Sequence, residues 1–356
     1  MSRAALAGLA LVACAAGCEA SAAATAPLDP LQRPATIDRR AGAAVLLAVA
    51  RAGERLVAVG EAGIVLLSDD HGKTWRQAAV PVSVTLTGVR FVSPNRGFAV
   101  GHAGVLLRTD DAGAHWSLLL DGNRIAALEL QAASAAAAPA ARLAAARRLV
   151  ADGADKPLLD IDFADAQRGW AVGAYGLLLA TDDGGSHWQS AMGALPNPKG
   201  KHLYRIRVLD GRPTVVGEQG AVFRSADGGR SFTEVAGPYA GTYFDVLGAA
   251  GGAELVAGLR GHVFRIDREP WQPVATAFGQ TLTAATRLSD GTLVLADEAG
   301  HLLCSSDGGH RFSGATGRRG WPWTGLAQAA DGAVVLTSAR GVARIERSAL
   351  CQEARP

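Results

Sequence analysis

Apolar residues in this chain fall in short alternating runs broken by Gly-rich polar turns, which is the pattern of short strands rather than of helices. One stretch shows the unit clearly. Leu158 to Phe163 predicts an inner strand, Ala166 to Gly169 a turn, and Trp170 to Gly173 a second strand. Ala174-Tyr175-Gly176 then turns the chain into a third strand, Leu177 to Thr181. Asp182 to Ser186 turns it again, into an outer strand at His187 to Ser190. Period-two alternation and Gly at the turns give the side-chain placement and backbone freedom that four meandering strands require.

The unit recurs. VGEAGIVLLSDDHGKTW (Val59 to Trp75) aligns with copies that begin at Val100, Val172, Val216, Ala257, Ala296 and Thr337. The second glycine of the turn is Gly63, Gly104, Gly176, Gly220, Gly261, Gly300 and Gly341, at intervals of 41, 72, 44, 41, 39 and 41 residues. A period near forty with four short strands per unit is the signature of propeller blades. The expected fold is therefore all-β: a seven-bladed β-propeller of four-stranded blades over residues 37–347, with a tail at 348–356. An open array would leave strand edges unpaired, so the ring must close. The seventh copy has no recognisable outer strand after Ile345. Pro34 to Arg40 is expected to supply it, with Ser348 to Glu353 as the competing source.

Five copies carry the pattern [S/T]-x-D-x-G-x-x-[W/F], around Asp70, Asp111, Asp183, Asp227 and Asp307. A carboxylate placed there can accept N–H groups of its own turn, the glycine can take a positive φ, and the aromatic ring can fill the wedge between blades. These aspartates are read as structural, not catalytic. His115 and His187, which precede two of the aromatics, are expected to pack at the outer strands.

Two copies extend the pattern: Gly97-Phe98-Ala99-Val100-Gly101 through Trp116, and Gly169-Trp170-Ala171-Val172-Gly173 through Trp188. These resemble the photosystem II assembly and stability factor family, seven-bladed Asp-box (BNR repeat) propellers of the thylakoid lumen with relatives in bacteria that do not photosynthesise. The resemblance covers residues 37–347. It implies a protein-binding role in which an arginine-lined surface receives a newly made reaction-centre subunit. No local motif assigns those arginines residue by residue.

The 72-residue interval holds a surplus, Asn123 to Asp155, rich in Ala, Leu, Glu, Gln and Arg. Such residues favour helix, Pro139 suits a helix start and Gly153 a stop. A helical hairpin between blades two and three is expected at 123–155. Arg142, Arg147 and Arg148 are expected late in its second helix, either as a solvated basic face or as a contact.

The N-terminus reads as a secretory signal over residues 1–22: Arg3, then the small-apolar run Ala4 to Ala16. Lipidation on Cys18 is expected, with Cys14 or plain cleavage after Ala22 or Ala24 as alternatives; residues 23–36 read as a tether. The protein is thus expected to be periplasmic or exported, with a lipid tether to the membrane. Export would permit a disulfide between Cys304 and Cys351, although their spacing does not show that they meet. A net charge of +2 gives no case for nucleic acid. Histidines are scattered, with no metal spacing and no nucleotide fingerprint, so no metal or cofactor is expected.

In a propeller the inter-blade connections and the turns between second and third strands share one rim, and the Asp-box turns share the other. The first rim is expected to bind the partner. Its candidate residues are His102, Tyr175, Glu218, Arg260 and Arg340 from the turns, and Arg318, Arg319, Trp321 and Trp323 from the last inter-blade segment. Lys199, Lys201, His202, Tyr239 and Tyr243 surround them. The expected function is that of a monomeric, non-enzymatic scaffold or assembly factor for a membrane protein complex. The alternatives are a sialidase-like glycosidase and a carbohydrate-binding ring. A sialidase needs a carboxylate pair or Tyr nucleophile and an arginine cluster. Here Arg40 is followed by Ala41-Gly42 rather than the Arg-Ile-Pro of such enzymes, and seven copies exceed their six blades.

Overall fold

The computed structural model describes residues 29–135, 138–267, 270–315 and 321–351. The signal segment and Cys18 lie outside these residues. Seven antiparallel sheets stand as the blades of one ring, six with four strands and the last with three, and within each sheet the strand order follows the chain. Blade three comprises Leu158–Phe163, Gly169–Gly173, Leu178–Thr181 and Gln189–Ser190. Its outer strand starts two residues later than expected because the Asp-box turn continues through His187, whose N–H donates to Asp183 at 2.9 Å.

The inner strands are Leu46–Ala52, Leu86–Phe91, Leu158–Phe163, Leu203–Leu209, Tyr243–Gly248, Leu282–Arg287 and Trp323–Gln328. Each breaks register with its neighbour at its second residue: Leu47, Thr87, Leu159, Tyr204, Phe244, Thr283 and Thr324. A bulge kinks a strand and re-aims its side chains. The Thr87 hydroxyl donates to the Leu158 carbonyl of the next blade at 2.8 Å, and that of Thr283 to Trp323 at 2.6 Å.

The first glycine of each G-x-x-G turn fits under the preceding inner strand. A Cβ at Gly60 would stand 2.1 Å from the Val45 carbonyl oxygen. Between blades, apolar faces of neighbouring sheets meet and the Asp-box aromatics fill the outer wedge: Trp116 joins Val57 and Leu67 of blade one, and Trp188 joins Phe98 and Phe163.

The closure differs from expectation. Pro34 to Arg40 does not pair with blade seven. It runs over blade one, where the Ala35 N–H donates to the Val80 carbonyl at 3.0 Å and Gln77 bonds the backbone of Thr36 and Asp38. The described part of the expected tether is therefore packed, the Ser83 N–H also donating to the Pro30 carbonyl at 2.9 Å. Blade seven ends at its third strand, Gly341–Ile345, and the chain continues into a short helix, α3 (Arg347–Leu350). The fully buried Leu350 packs with Cys304, Trp323, Leu336 and Ala343, between blades six and seven. Cys351 is disulfide-bonded to Cys304.

The insertion forms two helices, α1 (Gly122–Ala135) and α2 (Ala140–Asp152). Pro139 is the N-cap of α2, and Gly153 ends it at φ +80°. The hairpin leaves from the first rim and lies along the outer edge of blade three, α1 packing on the strand Gln189–Ser190. Such cover protects an edge strand from stray pairing. Glu129 of α1 is buried, takes two bonds from Arg142 (2.9 and 3.1 Å) and also accepts from Ser190. Arg142 thus lies in the first turn of α2 rather than late in the helix, while Arg147 and Arg148 are exposed.

Candidate functional site

The five Asp-box carboxylates are engaged by their own turns. Asp183 accepts from the Thr181 hydroxyl and the Ser186 and His187 N–H groups, each at 2.9 Å, and pairs with the His187 ring at 2.6 Å. The His187 N–H is the main cause that holds its pKa down to about 2. The Thr74 hydroxyl depresses Asp70 and the Ser231 hydroxyl depresses Asp227. Burial pushes Asp111 and Asp307 upward, but their hydrogen bonds more than offset it. His115 and His187 do not pack at the outer strands as expected. Their side chains are 84% and 91% exposed, and each turns back to its own Asp.

On the first rim the candidate residues separate. His102, Arg260 and Arg340 are exposed, and Tyr175 is 54% exposed. Tyr175 sits at φ 57° and Arg260 at φ 56°, a left-handed position that Ala62, Ala103 and Gln219 occupy in the equivalent turns. The Tyr175 ring lies 4.8 Å from that of His202, and the Lys156 ammonium 5.2 Å from its centroid. Glu218 instead supports the turn, accepting the His202 N–H at 2.9 Å, just as Glu61 accepts that of Val45 at 2.7 Å. Trp323 and Tyr243 are fully buried and present no surface to a partner. They stand where other inner strands begin with leucine, so they belong to the core. Trp321 is half-buried, 5.9 Å from the Trp323 ring. Arg318 and Arg319 lie outside the described residues.

The repeat pattern does not reveal a further, strongly charged feature. The inner strands enclose a central cavity of 410 Å³, lined by Arg51, Arg90, Arg205, Arg207, Arg287, Asp160 and Asp245 among others. Three aspartates tie adjacent inner strands together. Asp160 accepts the Ile206 N–H (3.0 Å), Asp162 that of Val208 (2.9 Å) and Asp245 that of Ala285 (2.9 Å). Arg207 donates to Asp160 at 2.6 Å, Arg205 stands 3.1 Å from Asp245, and Arg90 2.7 Å from Asp162. Burial opposes the charge on Arg207, but Asp160, Asp245 and Asp162 outweigh it and its pKa is raised.

Three carboxylates cannot neutralise five guanidinium groups. Among the described residues Arg51 bonds only the Gly53 carbonyl, at 3.1 Å, and Arg287 has no carboxylate partner. Both are exposed, as is Arg90. All three lie at the ends of their strands, at the mouth that opens on the Asp-box rim. The signal was present in the sequence as isolated charges inside short apolar runs.

Among the described residues no cluster of His, Cys, Asp and Glu could hold a metal ion, and no helix is long and apolar enough to cross a membrane.

The family model described as photosynthesis system II assembly factor YCF48 matches residues 20–120 and 142–265, more than half of the chain. Its gap falls on α1 and the start of α2. A photosystem II assembly lipoprotein, Ycf48 of Synechococcus sp. (strain CC9902), is 28% identical over 160 residues, which is 42% of this chain and 46% of that protein. The matched stretch thus spans about half the length of this relative. Among solved structures, YCF48 bound to D1 peptide superposes with a TM-score of 0.63 at 16% identity, covering 90% of this chain and 98% of that one. YCF48 from Cyanidioschyzon merolae gives 0.63 at 14% identity, with 89% and 99% covered. At such identities the superpositions establish a shared fold.

Proposed function

The chain belongs to the YCF48 family of photosystem II assembly factors, and from that premise we propose that it is a non-enzymatic assembly factor. In this reading it holds an acidic extramembrane segment of a membrane-protein subunit. The relative solved with a D1 peptide and the curated lipoprotein support this reading. The observation that carries it is the surplus of arginine at the channel mouth. Guanidinium groups without carboxylate partners favour acidic peptide, because each can make charge-assisted, bidentate bonds to a carboxylate. Lipidation at Cys18 would keep the ring beside a client at the exported face of the membrane.

Among the described residues, neither the channel aspartates nor the Asp-box carboxylates offer a free acid–base pair for hydrolysis. Asp160, Asp162 and Asp245 are each engaged by arginine and by backbone N–H, and the Asp-box carboxylates are held ionised by their turns.

Binding of a D1 peptide to the purified ring tests the reading. Arg51→Glu, Arg90→Glu and Arg287→Glu together are expected to weaken it at least tenfold. The exposed His102, Tyr175, Arg260 and Arg340 form the alternative docking face. Undiminished binding in the triple variant, with loss in Arg260→Glu/Arg340→Glu, would move the site to that rim and overturn the channel assignment.

A further inference from the structure

Among the described residues blade seven has neither a fourth strand nor an Asp-box aromatic, the two features that hold the outer part of the other blades. The aromatic of a blade packs against the preceding blade, as Trp116 of blade two does against Val57 and Leu67 of blade one. In blade seven that wedge is filled by Leu350, which is fully buried with Val294, Leu302 and Cys304 of blade six. The residue after it, Cys351, is covalently bound to Cys304 in the third strand of blade six, Leu302–Ser305. On the same helix Arg347 reaches Asp290 at 2.7 Å and Thr292 at 2.9 Å, both at the hairpin of blade six. One short helix thus bolts blade seven to its neighbour by a plug, an ion pair and a disulfide.

We propose that α3 is a redox-dependent latch: the Cys304–Cys351 disulfide, with the Leu350 plug, replaces the missing strand in closing the ring, and reduction releases blade seven. A four-residue helix cannot hold itself in water, so its position depends on these anchors. The reductant is a dithiol of the Cys-x-x-Cys class. Cys304 is only 6% exposed, so the accessible sulfur is that of Cys351. Attack there by one thiolate forms a mixed disulfide and expels Cys304 as thiolate, which takes up a proton. The second thiol of the reductant then attacks the reductant's own sulfur and releases Cys351. The reductant leaves as a disulfide, and two electrons and two protons have passed to the two cysteines. The Arg347 guanidinium, 3.9 Å from the Cys351 sulfur, favours Cys351 as the thiolate released in the second exchange.

Opening would reach the binding site, because the inner strand of blade seven supplies Thr324 and Gln328 to the channel wall. This consequence for binding rests on the reading of the channel as the peptide site; the latch itself does not.

Hydrogen exchange on the full chain, oxidised and then reduced with dithiothreitol, tests the latch, with intact mass confirming that both thiols have formed. Exchange in Trp323–Ile345 is expected to rise at least tenfold while that in blades two to four stays unchanged. Leu350→Ala, which keeps the disulfide, should give a smaller rise in the same segment. Equal exchange in the two redox forms, or a rise spread evenly over all blades, would overturn the proposal. D1 peptide binding measured alongside separates the two ideas: an oxidised ring that binds no peptide would remove the channel reading and leave the latch standing.

Discussion

The hydroxyl of Thr324 donates to the carbonyl of Leu46 at 2.6 Å, and so joins the last blade to the first across 278 residues of sequence. The same hydroxyl lies 3.1 Å from that of Thr337. Thr87 and Thr283 make the equivalent bond at two interior seams. Thr324→Val keeps the shape and leaves the Leu46 carbonyl without its partner, at an expected cost of about 1–2 kcal/mol. Chemical denaturation should show a lower midpoint with an unchanged slope, and blade one and blade seven amides should exchange faster than those of blade four.

Gly341 bears on the same seam. It has φ +96°, and a Cβ placed on it would stand 2.1 Å from the Gly42 carbonyl oxygen. Both the positive φ and the close approach demand glycine, so Gly341→Ala should destabilise by more than about 2 kcal/mol. Gly332→Ala provides the control. That residue also has positive φ (+89°) but nothing within 4 Å, so it should lose only the conformational part.

The fold was legible where it depends on local chemistry. Gly60 and its counterparts recur because backbone packs where a side chain would be. Asp183 and its counterparts recur because the carboxylate serves groups within four residues of itself. What was not legible depends on distant partners. The closure departs from the strand expected from Pro34 to Arg40 because Ala35 meets Val80 of blade one, while Leu350 of the alternative segment fills the wedge with a side chain rather than pairing as a strand. In the sequence Trp323 reads as a rim residue because Trp321 and Arg319 flank it. Aligned instead with Leu46, Leu86 and Leu158, it falls at a core position. Nothing in the sequence groups Arg51, Arg90 and Arg287, because each stands alone in its own strand and only the ring brings them to one mouth.

The Asp boxes predict a specific loss of stability in acid. Asp183 has its pKa depressed to about 2, against about 3.9 in an unfolded chain. A depressed carboxylate pKa gives stabilisation that is complete above the unfolded value and disappears as pH falls through the folded one. Asp290 is depressed to about 2 as well, first by the Thr292 N–H, so both groups act in the same window. The urea midpoint should fall between about pH 4 and about pH 2, and Asp183→Asn should flatten that slope while lowering the midpoint at neutral pH. An unaltered acid slope in the variant would mean that the Asp183 carboxylate is not differentially protonated on unfolding.

Glu129 and Arg142 test what fixes the helical insertion to the ring. The Glu129 side chain is 3% exposed and that of Arg142 25%, so the pair is largely withdrawn from water. Removing one member leaves a charge with its desolvation uncompensated, whereas removing both does not. Glu129→Ala should therefore cost about 3 kcal/mol, chiefly by freeing the hairpin from blade three. Glu129→Leu/Arg142→Leu should recover most of that loss, because Ile125, Ala133 and Ala146 of the same hairpin are buried apolar residues. A double-mutant cycle read by denaturation, with exchange measured on α1 and α2, separates the two outcomes. Strong coupling with the exchange confined to the hairpin would show the pair acting as the fastener. Additive effects would mean that Ile125 and Ala126 dock the helix by packing alone, with no energetic coupling between Glu129 and Arg142.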